Sequence, residues 1–360
     1  MKSKILIKGN FSEGNFGDDA LLLACHQFLT KLGLDDDTVY DCDELYYPRD
    51  LAANANVGSP SSNDVQLVLY AGGTQFFSFT SKKSGFIEKL KIRLSAYKWM
   101  INQRSKYAMI GVGLGPFNNG IKEDIFASSI LKKSSFTWVR DQYSYEECRS
   151  LNLQNYHLGA DLCFLSEFQE WCNFKINPAN NIKKIGVVLR HWKYEEGNAY
   201  VNKLIELSEL LKKDNFELEF YLFSDKEDVA VENLLLEHKV GFIKWDAKIF
   251  SFKGFLSQLE SCDLFITARF HTAIFSTLMY KPFITVGLDQ KLTYLASQFD
   301  NDCFNWDPKD SVDVLYNKVT SINKNYNSLK ENIVKTKSQM EILSNDAGIL
   351  FRDYLKSNLT

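Results

Sequence analysis

The sequence predicts an α/β protein built as two Rossmann-like domains facing each other across a cleft. Three observations predict it. Short β-rich apolar runs alternate with amphipathic stretches along most of the chain. Runs such as Leu67-Val68-Leu69-Tyr70 are apolar on both faces, as a parallel sheet covered by helices on each side requires. The pattern then restarts with a fresh strand at Lys183, after an aperiodic stretch over 168–182 that contains Asn-Pro-Ala-Asn-Asn.

In chain order, strands are expected over 4–8, 65–71, 107–113 and 136–140, and, past the restart, over 185–190, 218–223, 240–244, 264–268 and 283–286, with helices filling most of the gaps. The tail over 328–359 reads as helix. The domains expected are residues 1–175 as an N-terminal Rossmann-like unit, 176–330 as a C-terminal one, and 331–360 as a closing helix placed to pack back on the first.

With 360 residues, 45% apolar and 24% charged, the chain is long enough for two full-sized cores and is neither fibrous nor disordered. Lys and Arg total 42 against 45 Asp and Glu, so no overall cationic field points to nucleic acid. Near the N-terminus only Ile5-Leu6-Ile7 are consecutively apolar, whereas a secretory signal needs about 7–15 such residues and a spanning helix about 20. A cytoplasmic protein is expected, with any membrane contact peripheral. Seven scattered cysteines, with no C-x-x-C pair, read as reduced thiols; a nucleophilic role for one of them is the alternative.

One segment departs from this balance. Residues 82–106 carry eight Lys or Arg, among them Lys82, Lys83, Lys89 and Lys91, against the single acid Glu88. Ile87, Leu90, Leu94, Tyr97 and Ile101 recur at helical spacing. Such a basic amphipathic helix suits the anionic inner face of a plasma membrane, and the competing reading is that its stripe packs on the sheet.

Glycines and unusual polar residues follow the expected strand ends: 9–19, Gly72-Gly73, and 111–116 in the first half, then Arg190-His191, Arg269-Phe270-His271 and 287–291 in the second. Ligands of open α/β sheets bind outside the carboxyl ends of strands, so six such loops imply one interdomain site. The first loop matches neither G-x-G-x-x-G nor the Walker pattern. Asp18 and Asp19 would stand at the next helix N-terminus and repel a phosphate, which suits hydroxyl-rich ligands; Asp18 as a simple N-cap is the alternative. Arg269 and His271 would project to the same face of an extended segment, a fixed cation beside a titratable imidazole, suited to binding an anion while a proton moves. The plainer reading pairs Arg269 with a surface carboxylate. Arg190 ends its strand in the same manner.

Taken together, these residues resemble the polysaccharide pyruvyl transferase family. The matched pattern is Gly14-Asn15-Phe16-Gly17-Asp18, Ala71-Gly72-Gly73, Gly111-Val112-Gly113-Leu114-Gly115-Pro116, Val139-Arg140-Asp141 with Ser144, Gly159-Ala160-Asp161 and Arg269-Phe270-His271. It continues through Lys281-Pro282-Phe283 and Asp289-Gln290-Lys291. Three places depart from it: Thr74 stands where the family has a third glycine, Gln75-Phe76-Phe77-Ser78 where an acidic residue is common, and Leu288 where an aromatic is common.

The resemblance implies an architecture like that of GT-B glycosyltransferases. It implies transfer of a pyruvyl group from phosphoenolpyruvate to two hydroxyls of one sugar, forming a cyclic ketal with release of phosphate, on a surface polysaccharide or its lipid-linked precursor. In that setting Arg190 and Arg269, with Lys291, suit the donor's carboxylate and phosphate. The enol ether becomes electrophilic at C2 only when C3 is protonated, a task assigned to His271, while Asp18 orients or deprotonates the attacking hydroxyl. Asn15, Gly17, Gly72, Gly73, Gly113 and Gly115 are expected in the cleft loops toward the acceptor. No metal and no cofactor beyond the co-substrate are expected. The competing readings are a GT-B glycosyltransferase using a nucleotide sugar and a non-catalytic carbohydrate-binding protein.

Overall fold

The computed structural model describes residues 4–11, 13–42, 47–51, 55–58, 65–75, 90–91, 94, 105–115, 130–174, 181–194, 197–299 and 304–359. In chain order the first part comprises β1 (Lys4–Lys8), α1 (Phe16–Lys31), β2 (Thr38–Tyr40), β3 (Asn56–Val57), β4 (Val65–Ala71), β5 (Thr74–Gln75), β6 (Lys106–Leu114), β7 (Phe136–Val139), α2 (Gln142–Ser150), β8 (Tyr156–Leu158) and α3 (Ser166–Cys172). The second comprises β9 (Lys184–Leu189), α4 (Ala199–Lys213), β10 (Glu217–Leu222), α5 (Val229–Glu237), β11 (Phe242–Lys244), α6 (Phe252–Glu260), β12 (Leu264–Thr267), α7 (Phe270–Leu278), β13 (Phe283–Val286), α8 (Gln290–Ser297) and β14 (Asn305–Trp306). Helices α9 (Val312–Lys324) and α10 (Tyr326–Leu359) close the chain.

The described strands form two parallel sheets, ordered β3-β2-β1-β4-β6-β7-β8, with β5 beside β6, and β11-β10-β9-β12-β13-β14. In both, the order reverses beside the first strand, between β1 and β4 and between β9 and β12. This doubly wound arrangement opens a crevice at the carboxyl ends of those strand pairs. The central strands are buried on both faces, as their unbroken apolar runs require: Ile5, Leu6 and Ile7 in β1, and Ile185, Val187, Val188 and Leu189 in β9.

The expected strands 107–113, 185–190 and 218–223 are found one residue off at each end, as β6, β9 and β10, and three further strand ends differ. Strand β7 stops at Val139, leaving Arg140 beyond it. β11 begins at Phe242, because Lys239 turns the chain through a left-handed conformation (φ 55°) just before. β12 stops at Thr267, because α7 starts at Phe270. Strands β2, β3, β5, β8 and β14 went unread, each only two or three residues long and too short to show a period.

The two sheets are joined directly where β1 leads into α1. Asn15 pairs with Ser224 as an antiparallel bridge, and the Phe16 N–H donates to the Phe223 carbonyl at 2.9 Å. The wholly buried Phe16 ring enters an aromatic socket of the second part, 4.5 Å from Phe252, 4.7 Å from Phe255 and 5.0 Å from Trp245 between centroids. Aromatic pairs of this kind contribute about 0.5–1.5 kcal/mol each beyond area burial. Helix α10 makes a second link: Phe351 packs on Phe136 and Phe28, and the Tyr354 and Ser135 hydroxyls share a hydrogen bond of 2.6 Å.

Among the described residues no helix is long and apolar enough to cross a membrane. Most of the basic segment 82–106 lies outside the described residues; of its stripe, Leu90 and Leu94 are described, and both are exposed. Cys25, Cys148, Cys163, Cys172 and Cys262 are buried free thiols, and burial raises the pKa of each.

Candidate active site

Three helices begin at one cavity of about 170 Å³ between the sheets. Gly17 and Asp18 line it from the first turn of α1, Phe270 and His271 from that of α7, and Lys291 from that of α8. Unpaired N–H groups and the positive end of the helix dipole favour an anion at each such terminus. Asn10, Gly73, Thr74 and Arg140 complete the wall from the first sheet, and Arg190, Phe223, Glu227 and Arg269 from the second.

The start of α1 is capped by Asn15, whose side chain accepts from the Gly17 N–H at 2.9 Å. The alternative of Asp18 as the cap is therefore incorrect; an extended Asn15 already takes that place (φ −114°, ψ 117°), leaving the Asp18 carboxyl for the cavity. Gly17 is required by close approach: a Cβ there would lie 2.3 Å from His271 Nδ1. The absent side chain lets α1 rest against the imidazole.

Arg269 and His271 do not share an extended segment, as the sequence suggested. Arg269 is the extended residue that precedes α7 and His271 lies within the helix's first turn, yet both reach the cavity. Arg269 is 7% exposed, and its Nη2 donates to both oxygens of the wholly buried Asp228 at 2.6 Å, with Nη1 on Glu227 at 3.1 Å. The carboxylate partner of the plainer reading thus exists, but it is buried in the site and not on the surface. Asp228 also accepts from the His191 and Ser224 N–H groups, which fixes the guanidinium from behind. Arg190 donates to Asp289 at 3.1 Å and lies over Trp192, and Lys291 stands 3.7 Å from the same Asp289 oxygen.

Arg140 is a fourth cation. It lies 4.1 Å over the Phe270 ring, donates to the Thr74 hydroxyl at 3.1 Å and stands 3.6 Å from Asp161. Thr74, the departure from the family's glycine, therefore supplies a hydroxyl that holds this arginine. His271 Nε2 is 3.8 Å from Asp161 Oδ2, and both atoms are buried without a hydrogen-bond partner among the described residues.

Burial decides the protonation states. It pushes His271 down to about 4, assisted by Arg140, Lys291 and Arg269 and opposed by Asp161. It pushes Asp18 up to about 7, assisted by Glu227 and opposed by Arg269, Lys291 and Arg140. Lys291 falls to about 8, chiefly through burial, with Arg190 and Arg140 adding to the fall and Asp289 opposing it. The cleft therefore holds a neutral imidazole, a carboxyl that titrates near neutrality, and three guanidinium groups.

Of the residues expected from sequence, Asn15, Gly17, Asp18, Gly73, Arg190, Arg269, His271 and Lys291 meet at this cavity. Gly113 and Gly115 line a neighbouring one, and Gly72 faces Leu21 of α1 instead. Sequence reasoning did not assign site roles to Arg140, Asp161, Glu227, Asp228 or Asp289. Arg140 and Asp161 follow β7 and β8 closely, and Glu227 and Asp228 follow β10, so the strand-end rule was the signal that could have found them. Among the described residues no group of three His, Cys, Asp or Glu side chains is placed to hold a metal ion.

Comparison with solved structures shows the fold. The chain is similar to UDP-N-acetylglucosamine 2-epimerase from Rickettsia bellii, with 11% identity, a TM-score of 0.58, and 99% of this chain and 98% of that one covered. The S. aureus MnaA–UDP co-structure is as similar, with 11% identity, a TM-score of 0.58, and 100% and 98% covered. The glycotransferase of kitacinnamycin gives 10% identity, a TM-score of 0.51, and full coverage of both chains. The architecture is thus the two-domain, Rossmann-like GT-B fold. No curated protein matches the chain in sequence. The family model for polysaccharide pyruvyl transferase matches residues 15–290, the span that holds every cavity residue except Asn10 and Lys291, and the chain belongs to that family.

Proposed function

We propose that the cleft transfers the pyruvyl group of phosphoenolpyruvate to two hydroxyls of one acceptor sugar, forming a cyclic ketal and releasing phosphate. The observation that carries this reading is the convergence of Arg140, Arg190, Arg269 and Lys291 with three helix N-termini around one cavity that also holds Asp18 and His271. A small ligand with two anionic groups suits such a cavity, and the donor has a carboxylate and a phosphate.

The donor also changes the protonation of the site. Its negative charge offsets the cations that hold His271 low, so the imidazole rises and takes up a proton as the donor binds. That proton passes to C3 while the first sugar hydroxyl adds to C2 and loses its own proton to Asp18. The C2–O bond to phosphate then breaks, the second hydroxyl closes the ring on C2, and its proton leaves with the phosphate. One proton gained at C3 and two lost from hydroxyls balance with hydrogen phosphate as product. The acceptor is a sugar of a surface polysaccharide or its precursor.

Melting curves with phosphoenolpyruvate and with a panel of nucleotide sugars test the donor, because a ligand that binds only the native state raises the melting temperature by mass action. Phosphoenolpyruvate alone should stabilise the protein, and phosphate release with an added glycoside should yield a product bearing the mass of a pyruvyl ketal. Stabilisation by nucleotide sugars alone would replace this reading with glycosyl transfer.

A further inference from the structure

The segment Gly159-Ala160-Asp161 follows β8 and brings Asp161 to the cleft from the first sheet. Its first residue is glycine for lack of room, because a Cβ there would lie 2.0 Å from Trp138 Nε1. The indole admitted by that gap donates to the Ala160 carbonyl at 3.1 Å, and the Ser344 hydroxyl of α10 donates to the Asp161 carbonyl at 3.3 Å. Asp161 Oδ1 accepts from the Cys163 N–H at 3.2 Å. Backbone and one carboxylate oxygen are thus held, and Oδ2 is left over.

That oxygen faces His271. Buried polar atoms without a hydrogen bond are rare in native proteins, yet two of them stand opposite each other here, Asp161 Oδ2 and His271 Nε2, 3.8 Å apart. Arg140 Nη1, at 3.6 Å from the same oxygen, is also beyond hydrogen-bond distance. The second ring nitrogen has other surroundings. Nδ1 lies against Gly17 at the start of α1, where an added Cβ would come within 2.3 Å, and Gly17 lines the charged cavity. Nε2 is enclosed although the side chain as a whole is 12% exposed, so Nδ1 is the nitrogen beside the cavity.

We infer that Asp161 is a positioning residue for the general acid: its carboxylate takes the Nε2–H of His271 from across the cleft, so that the proton given to the donor travels on Nδ1. The delivery step rests on the pyruvyl-transfer reading; the tautomer does not. In a neutral imidazole the hydrogen bond made by one nitrogen decides which of the two carries the proton. When the ring takes up its second proton, Nε2–H stays with Asp161 and Nδ1–H passes to C3, which returns the ring to its neutral Nε2–H form. The 3.8 Å contact then closes to a charge-assisted bond of about 2.7–2.9 Å, as catalytic contacts do when substrate binds. Arg140, Lys291 and Arg269 face the ring and oppose its protonation, Asp161 favours it, and Asp18 and Glu227 line the same cavity.

Nitrogen-15 NMR of the full chain labelled at histidine, recorded at pH 7 with the His271 signals identified by their loss in His271→Ala, reads the tautomer directly. The wild type should carry its proton on Nε2. In Asp161→Asn the amide oxygen keeps the Cys163 N–H and the amide nitrogen replaces Oδ2, so the ring should pass to the Nδ1–H form. Its kcat for phosphate release from phosphoenolpyruvate with a glycoside acceptor should fall about 10- to 100-fold, as is typical when the group behind a working imidazole is lost, with the donor KM within a few-fold. A wild-type ring protonated on Nδ1, a finding that needs no Asp161 variant, would overturn the proposal. So would a tautomer or a kcat that Asp161→Asn leaves unchanged. An Nε2–H tautomer that flips in Asp161→Asn, in a wild type that releases no phosphate from phosphoenolpyruvate, would support the pairing and count against the transferase reading alone.

Discussion

The two sheets share one topology and bring opposite chemistry to the cleft. At the reversal point of the second sheet, Arg190 and Arg269 each arrive with a carboxylate of their own side, Asp289 and Asp228, and are fixed before any ligand enters. At the reversal point of the first, Asp18 arrives with no ion-pair partner among the described residues, and burial drives it to about 7. The second sheet thus offers preorganised cations, and the first offers a carboxyl able to exchange a proton near neutrality. The topology fixes where the loops meet; which groups are paired before binding fixes what each side does.

The largest expected effect comes from His271, which stands where the two sides touch. His271→Ala should lower turnover by about 100- to 10,000-fold, the range typical of a lost general acid, while donor affinity stays within a few-fold. Single-turnover phosphate release checks the first part and calorimetry the second. Near-wild-type turnover would break the division of labour, since among the described residues no other imidazole lines the cavity.

A smaller effect should separate the two arginines. Arg190 is 22% exposed at its side chain, so Arg190→Ala should weaken donor binding by about 10- to 150-fold, as loss of one charge-assisted contact predicts, with little change in melting temperature. Arg269→Ala should weaken donor binding too and also destabilise the fold by about 3–5 kcal/mol, because it strands the wholly buried Asp228. The paired change Arg269→Ala with Asp228→Ala should recover part of that stability and none of the affinity. Equal melting temperatures for the two single variants would show that preorganisation at Asp228 carries no stability.

These contrasts show how far the sequence could be read. Long apolar runs made β1, β4, β9 and β12 legible, and with them the places where Arg190, Arg269 and Asp18 would meet. Burial partners were not legible: nothing local to Arg269 shows that Asp228, 41 residues earlier and just before α5, would accept from its guanidinium with both carboxylate oxygens. Nor does local sequence show that Asn15 caps α1, since Asp is as good a cap and only the backbone geometry decides. Protonation is the least legible of all, because His271 and Asp18 owe their shifted values first to burial and then to charges from distant segments.

The smallest expected effect tests the first sheet's side alone, through the neighbouring pair Asp18 and Asp19. Asp19 turns from the cavity toward the second sheet, where its Oδ2 accepts from Trp245 Nε1 at 2.9 Å and its Oδ1 has no partner among the described residues. Burial raises it to about 8, opposed by the Trp245 hydrogen bond and assisted by Asp18 and Asp225. The unfolded chain releases this proton near pH 3.9, so between there and about 8 the native state binds a proton that the unfolded state has lost. Its stabilising contribution is therefore complete at low pH and disappears as pH rises through about 8. Asp18 acts in the same direction up to about 7, whereas His271, held near 4, acts against both until the ordinary histidine range near 6.5. The net loss of stability should be steepest from there to about 7, where both carboxyls still hold their protons and the histidine no longer opposes them. Asp19→Asn retains an acceptor for Trp245 and removes the ionisation, so its melting temperature should match wild type near pH 4 and exceed it by a margin that widens up to about pH 8, with turnover preserved. Parallel melting profiles for the two proteins across that range would show that Asp19 ionises freely and that burial between the sheets does not govern this pair.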